Sequence, residues 1–208
     1  APMLKEMRND DGTPRVCENV RISSIGCSKE EKVGKLTAGY GAGKGGPKIG
    51  PEFTFGIYLQ KMLDEPILLI KTAWGGKSIN TDFRPPSAGP YPFTETQIER
   101  MKKQGKDPAD IKAKKAEATG HYYRLMIDHV KNVLSDITRV CPDYDPKAGY
   151  QLAGFVWFQG WNDMVDRGTY PHRGKPGGYD AYTDVLATFI RDVRKDLAAP
   201  KLPFVIGV

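Results

Sequence analysis

The chain has 208 residues, 39% of them hydrophobic and 27% charged, with a formal net charge of +6. That length suits one ordinary domain with a substantial core and argues against two. No apolar run approaches the roughly 18 residues that cross a bilayer, so no membrane partner is expected. The basic residues are interleaved with acids and accompany no RNA or DNA motif, which points to a solvated basic surface rather than nucleic-acid binding.

Taken in chain order, Val16 to Ile25 reads as a partly alternating strand. Gly39 to Gly50 is a glycine-rich loop. Pro51 to Leu63 reads as a helix introduced by Gly50 and closed by Asp64-Glu65-Pro66, and Ile67 to Ala73 is a nearly continuous apolar strand. Residues 95–118, within an insertion at about 91–119, form a charged helical hairpin broken at Gly105 and Asp107-Pro108. As a solvated excursion it needs no role; as a functional one it would be a lid or a homo-oligomerisation arm. Tyr122 to Val140 carries apolar residues at i, i+3, i+4, with His129 on that stripe as a core or boundary residue. Leu152 to Phe158, a helix over Tyr179 to Leu197, and a strand over Leu202 to Val208 complete the pattern. Helices alternating with buried strands imply an α/β sandwich with a mainly parallel sheet.

Cys17, Cys27 and Cys141 lack C-x-x-C spacing, and His121, His129 and His172 lack a two-ligand pattern, so neither a disulfide framework, a structural metal nor a cofactor is implied. The stretch LLIKTAWGGKS superficially resembles a phosphate loop, but the first glycine of G-x-x-x-x-G-K-[ST] would fall on Lys71, and Trp74 would crowd the cradle. A nucleotide site ranks behind the readings below, and ATP or GTP protection against thermal unfolding would be its test.

In open α/β sheets the ligand lies beyond the carboxyl ends of the strands. One expected strand ends in Trp74-Gly75-Gly76-Lys77-Ser78, the other in Gln159-Gly160-Trp161-Asn162-Asp163. Each alone reads as a turn or a helix cap. Together, glycine amides and an asparagine amide supply the donors that an oxyanion hole for acyl transfer requires.

At these residues the sequence resembles the SGNH hydrolases, in the sialate O-acetylesterase and carbohydrate-esterase branch. The resemblance is carried in order by Gly50-Pro51-Glu52 with Phe55-Gly56, by LLIKTAWGGKS with DFRPPSAG, and by FVWFQGWND, across about residues 47–90 and 120–208. It implies a flavodoxin-like three-layer fold in a single domain over residues 1–208, and hydrolysis of acetyl or similar esters, often on carbohydrates. By it, Gly75 or Gly76 is one oxyanion donor and Asn162 the other. Gln159 is a rival for the second role, and Asp163 orders the loop. Trp74, Arg84, Trp161 and His172 are candidates for substrate contact.

The family's nucleophile sits in a GQSNM-like segment and its base in a D-x-x-H block; neither occurs in residues 1–208. Ser78 lacks a G-x-S-x-G elbow and a histidine partner, so it reads as a loop-shaping residue. The chain begins at Ala1 and stops within the strand pattern LPFVIGV, so the expectation is a fragment holding the oxyanion half of an esterase site, with its compartment unassigned. The competing expectation is a catalytically inactive SGNH-like module that binds glycans or assembles through residues 91–119.

Overall fold

The computed structural model describes residues 2–207. Val208, included in the last expected strand, lies outside them. The chain divides into two compact units: one holds the residues up to Gly75 together with His129–Gly149, the other Gly76–Asp128 and Tyr150–Val208.

The first unit contains helix α1 (Pro2–Glu6), strands β1 (Cys17–Ile25) and β2 (Lys32–Leu36), helix α2 (Pro51–Met62) and strand β3 (Ile67–Thr72). The sheet order is β2-β1-β3, with β1 antiparallel to β2 and parallel to β3, where Val20 pairs with Ile67 and Ile25 with Thr72. Cys17, Val20 and Ile22 on β1 are fully buried and pack with Leu36, Tyr40, Phe53 and Ile57. Helix α2 starts at Pro51, where the missing N–H costs nothing, and the Glu52 carboxylate accepts the Gly50 amide at 3.1 Å. Its buried face is Phe53, Gly56 and Ile57, one helical stripe, and a Cβ at Gly56 would collide with Leu36. Lys71 on β3 pairs with Glu52 at 2.9 Å, so strand and helix are tied by charge as well as by packing.

The second unit contains α3 (Glu95–Lys103), α4 (Pro108–Ala118), β4 (Phe155–Trp157), α6 (Trp161–Val165), α7 (Asp180–Asp196) and β5 (Phe204–Ile206). Helix α5 (His121–Ser135) gives its N-terminal half to this unit and the rest to the first. β4 and β5 pair in parallel, Phe155 opposite Phe204 with the rings stacked at 4.7 Å. Phe189 on α7 is fully buried among Trp157, Tyr123 and Phe155, with ring centroids 4.4, 5.6 and 5.9 Å away.

The molecule is therefore mixed α/β, and the four expected strands all form. They do so as a mixed three-stranded sheet and a two-stranded parallel one. The strands expected over Leu152–Phe158 and Leu202–Val208 shrink to three residues each. The charged hairpin expected over residues 95–118 forms as α3 and α4, the first started by a capping box between Thr94 and Gln97 and the second N-capped by Asp107.

Candidate active-site edge

Strand β3 delivers the chain to Trp74 and Gly75, which end the N-terminal segment of the first unit. Gly76 then takes φ +75°, a left-handed conformation that glycine adopts at no steric cost. The turn that follows is held from within. Ser78 N–H and Oγ both donate to the Asp82 carboxylate, at 2.9 and 3.3 Å, and Ser78 Oγ accepts the Thr81 amide at 3.2 Å. The Ser78 hydroxyl is thus committed to the turn. Lys77 lies 4.1 Å above the Tyr122 ring and 3.5 Å from Asp82, and the Tyr122 and Asp82 contacts raise its pKa despite burial. Both partners hold its ammonium inside the unit.

Beyond β4, Asp163 is 1% exposed and its carboxylate receives four donors. The amides of Ile79 and Asn80 reach it at 2.9 and 3.3 Å, Gln159 Nε2 at 2.7 Å and the Tyr170 hydroxyl at 3.2 Å. The cost of burying this carboxylate is offset by charge-assisted hydrogen bonds, and in return it fixes the start of the Ile79–Asn80 segment against the loop after β4. Burial, together with the neighbouring carboxylate, pushes the Tyr170 hydroxyl pKa up, so Tyr170 stays a donor across the working range.

Gln159 and Asn162 separate at this point. A primary amide has two N–H donors. Those of Gln159 go to the Lys77 carbonyl at 3.0 Å and to Asp163, while its oxygen lies 3.4 Å from the Tyr182 hydroxyl. Among the described residues the Asn162 side chain makes no hydrogen bond, and Nδ2 sits 3.9 Å from where a Cβ on Gly76 would stand. The Gly75 and Gly76 amides also donate to nothing among the described residues, and both glycines are exposed. Gly76 and Asn162 therefore present adjacent free donors at one exposed edge.

The remaining expected residues scatter. Trp161 is 72% exposed beside Asn162. His172 is exposed in the loop after α6, and Trp74 is half-buried in the first unit. Arg84 is 6% exposed, and its guanidinium donates to the carbonyls of Gly89, Ala88 and Asn80 and to the Asn80 side chain. These bonds brace the 80–89 loop from within. Sequence reasoning missed Tyr170 and Tyr182. Tyr182 receives the Trp157 indole N–H at 3.2 Å and donates to the Gln159 carbonyl at 2.9 Å, fixing the end of β4.

The first unit holds a second polar cluster. Ser23 Oγ lies 2.8 Å from His129 Nε2 and donates to Glu31 at 2.6 Å, and Arg139 grips Glu31 with two bonds of 2.6 and 3.0 Å. A hydroxyl has one proton, and a carboxylate can only accept, so Ser23 must accept from His129. Ser23 is 0% and His129 8% exposed, and burial lowers the His129 pKa. With Ser23 sealed and the histidine acting as donor, this cluster is structural. Among the described residues no group of three or more His, Cys, Asp or Glu is placed to hold a metal ion.

Comparison with known proteins bears on this edge. The profile of the carbohydrate esterase, sialic acid-specific acetylesterase family matches residues 29–208. A search of curated proteins finds no match. Among solved structures, a protein from Arabidopsis thaliana, determined by X-ray at 1.6 Å, is similar at a TM-score of 0.44 and 16% identity, covering 89% of this chain. The present chain spans 55% of that protein's length. The family match includes both glycine and asparagine segments, and the chain belongs to the carbohydrate esterase, sialic acid-specific acetylesterase family.

Proposed function

We propose that this chain carries the oxyanion-stabilising edge of a serine-type carbohydrate O-acetylesterase, whose substrates are acetylated sugars or similar small esters. The observation that carries this reading is the pair of free donors, Gly76 N–H and Asn162 Nδ2, beside a Gln159 whose amide protons are already committed. Two neighbouring donors that bind the oxygen of a tetrahedral intermediate more tightly than the ground-state carbonyl lower the barrier to acyl transfer. Asn162 is the side-chain donor in this assignment, and Gly76, with Gly75 as its neighbour, supplies the backbone donor. The nucleophile and its base are assigned to sequence other than residues 1–208. The same proposal includes the family's finer architecture, a single flavodoxin-like three-layer domain; the parallel pairing of β1 with β3 and of β4 with β5 is consistent with it.

The test is acetate release from acetylated saccharides and from p-nitrophenyl acetate by the full-length protein. Asn162→Ala is expected to lower kcat by about 10² to 10³, the usual effect of removing one oxyanion donor, and to leave thermal unfolding nearly unchanged. Unaltered kcat in that variant would remove Asn162 from the mechanism. Full-length protein without esterase activity would favour the second reading, a glycan-binding module without catalysis, which rests on the exposed Trp161 ring beside Asn162. That reading requires saccharide binding in a titration up to millimolar concentration.

A further inference from the structure

The charged hairpin is fastened to the loop that follows α6. Gln97 Nε2 donates to the Gly168 carbonyl at 3.3 Å and to the Tyr91 hydroxyl at 3.0 Å, and Tyr91 lies 3.1 Å from the Thr169 hydroxyl. Thr169 donates in turn to Asp166 at 2.6 Å. Since the Asp166 carboxylate can only accept, every proton in this run has a fixed direction: Gln97 to Tyr91, Tyr91 to Thr169, Thr169 to Asp166. Lys115 on α4 lies 4.2 Å over the Tyr91 ring, so both helices of the hairpin hold Tyr91. The Asp166 carboxylate also accepts the amides of Gly168 and Thr169 at 2.8 and 3.1 Å, which closes the loop on itself. The next residue is Tyr170, whose hydroxyl reaches Asp163.

We propose that the hairpin is a positioning clasp for the oxyanion edge. It fixes residues 166–170, Tyr170 passes that constraint to Asp163, and Asp163 holds the Ile79 and Asn80 amides that set the turn leaving Gly76. Tyr170 is the positioning residue, since it belongs to the clasped loop and touches the buried carboxylate directly. This inference rests on the reading of Gly76 and Asn162 as oxyanion donors. A hairpin of few apolar residues suits such a clasp, because its contacts to the loop are directional hydrogen bonds, which fix a geometry without adding to the core.

Amide hydrogen exchange and steady-state kinetics on the full-length protein together test the clasp. In Tyr170→Phe, which keeps the ring, the Ile79 and Asn80 amides are expected to exchange about tenfold faster, the usual worth of one hydrogen bond. The same variant should lose about tenfold in kcat for p-nitrophenyl acetate with KM nearly unchanged, because a displaced donor weakens the transition state more than substrate binding. Gln97→Ala, at a half-buried position outside the core, should speed exchange at Gly168 to Tyr170 severalfold and serves if Tyr170→Phe fails to fold. Unchanged exchange in both variants overturns the proposal. Faster exchange with unchanged kcat in an active enzyme also overturns it, leaving the contacts merely structural. Faster exchange in a protein that hydrolyses no acetyl ester, even as wild type, overturns the catalytic part of the proposal together with the esterase reading and leaves only the coupling of the hairpin to the Ile79–Asn80 turn.

Discussion

The Ser23, His129 and Glu31 cluster of the first unit has the three side-chain types of a hydrolase triad, with Ser23 and His129 buried and Glu31 reaching the surface, whereas the edge at Gly76 and Asn162 presents an exposed glycine and a half-buried asparagine amide. The comparison shows that residue type does not define a site. In the first cluster the single Ser23 proton goes to Glu31, the wrong partner for a nucleophile, and Arg139 neutralises that carboxylate. At the open edge the Asp163 carboxylate is already paired, while the Gly76 amide and the Asn162 side chain have no partner among the described residues. Unsatisfied donors at an exposed edge are available to a ligand; satisfied groups inside a unit are available to stability.

The largest expected effect would break the comparison from the open side, because that edge stands on a buried carboxylate. Asp163→Ala leaves the donors of Ile79, Asn80, Gln159 and Tyr170 without their acceptor. The expected loss is about 3 kcal/mol or more by urea unfolding, given the cost of stranding several buried polar groups. A loss under about 1 kcal/mol would mean that water reaches the hub and that Asp163 does not hold the turn.

A smaller effect separates the sealed cluster from a catalytic one. Burial holds His129 below its ordinary pKa, so as pH falls the unfolded chain binds a proton before the folded one, and stability falls below about pH 6.5. The Arg139 contact holds Glu31 below its ordinary value as well, and its contribution, present at neutral pH, is lost as pH drops further through that lowered pKa. Urea unfolding between pH 7 and 5 should therefore slope downward with acid. His129→Gln, which keeps a donor toward Ser23, should flatten the slope at a cost of about 1 kcal/mol at pH 7. An equal slope in the variant would mean that another group titrates there.

The sequence showed these regions unevenly. Helix α2 was legible because Gly50-Pro51 starts it and Asp64-Glu65-Pro66 follows it, and the expected Pro51–Leu63 differs from the observed element by one residue. Strand β2 was not legible, since Lys-Val-Gly-Lys-Leu buries only its last residue and has no apolar alternation. The glycine and asparagine segments were visible as motifs, but the commitment of the Gln159 amide to the Lys77 carbonyl and to Asp163 was not, since only the fold brings those groups to it. Arg84 was visible in the DFRPPSAG segment, but the acceptors around it were not. The carbonyls of Asn80, Ala88 and Gly89 needed a donor and took it. Tyr170 sits in an aperiodic loop, and its role depends on a carboxylate seven residues earlier that no pattern links to it.

The smallest effect sharpens the open side. Trp161 is 72% exposed and starts α6 immediately before Asn162, so its ring contributes little to the core. Trp161→Ala should change stability by no more than about 0.5 kcal/mol, as is usual for exposed positions. If the ring forms a wall for sugar, KM for an acetylated saccharide should rise severalfold while that for p-nitrophenyl acetate stays within about twofold, since only the larger substrate reaches past the acetyl group. Equal losses on both substrates would place Trp161 in the geometry of the reacting centre. No loss on either would leave its exposure without a part in recognition, and the sugar would then have to be read by residues elsewhere along the edge.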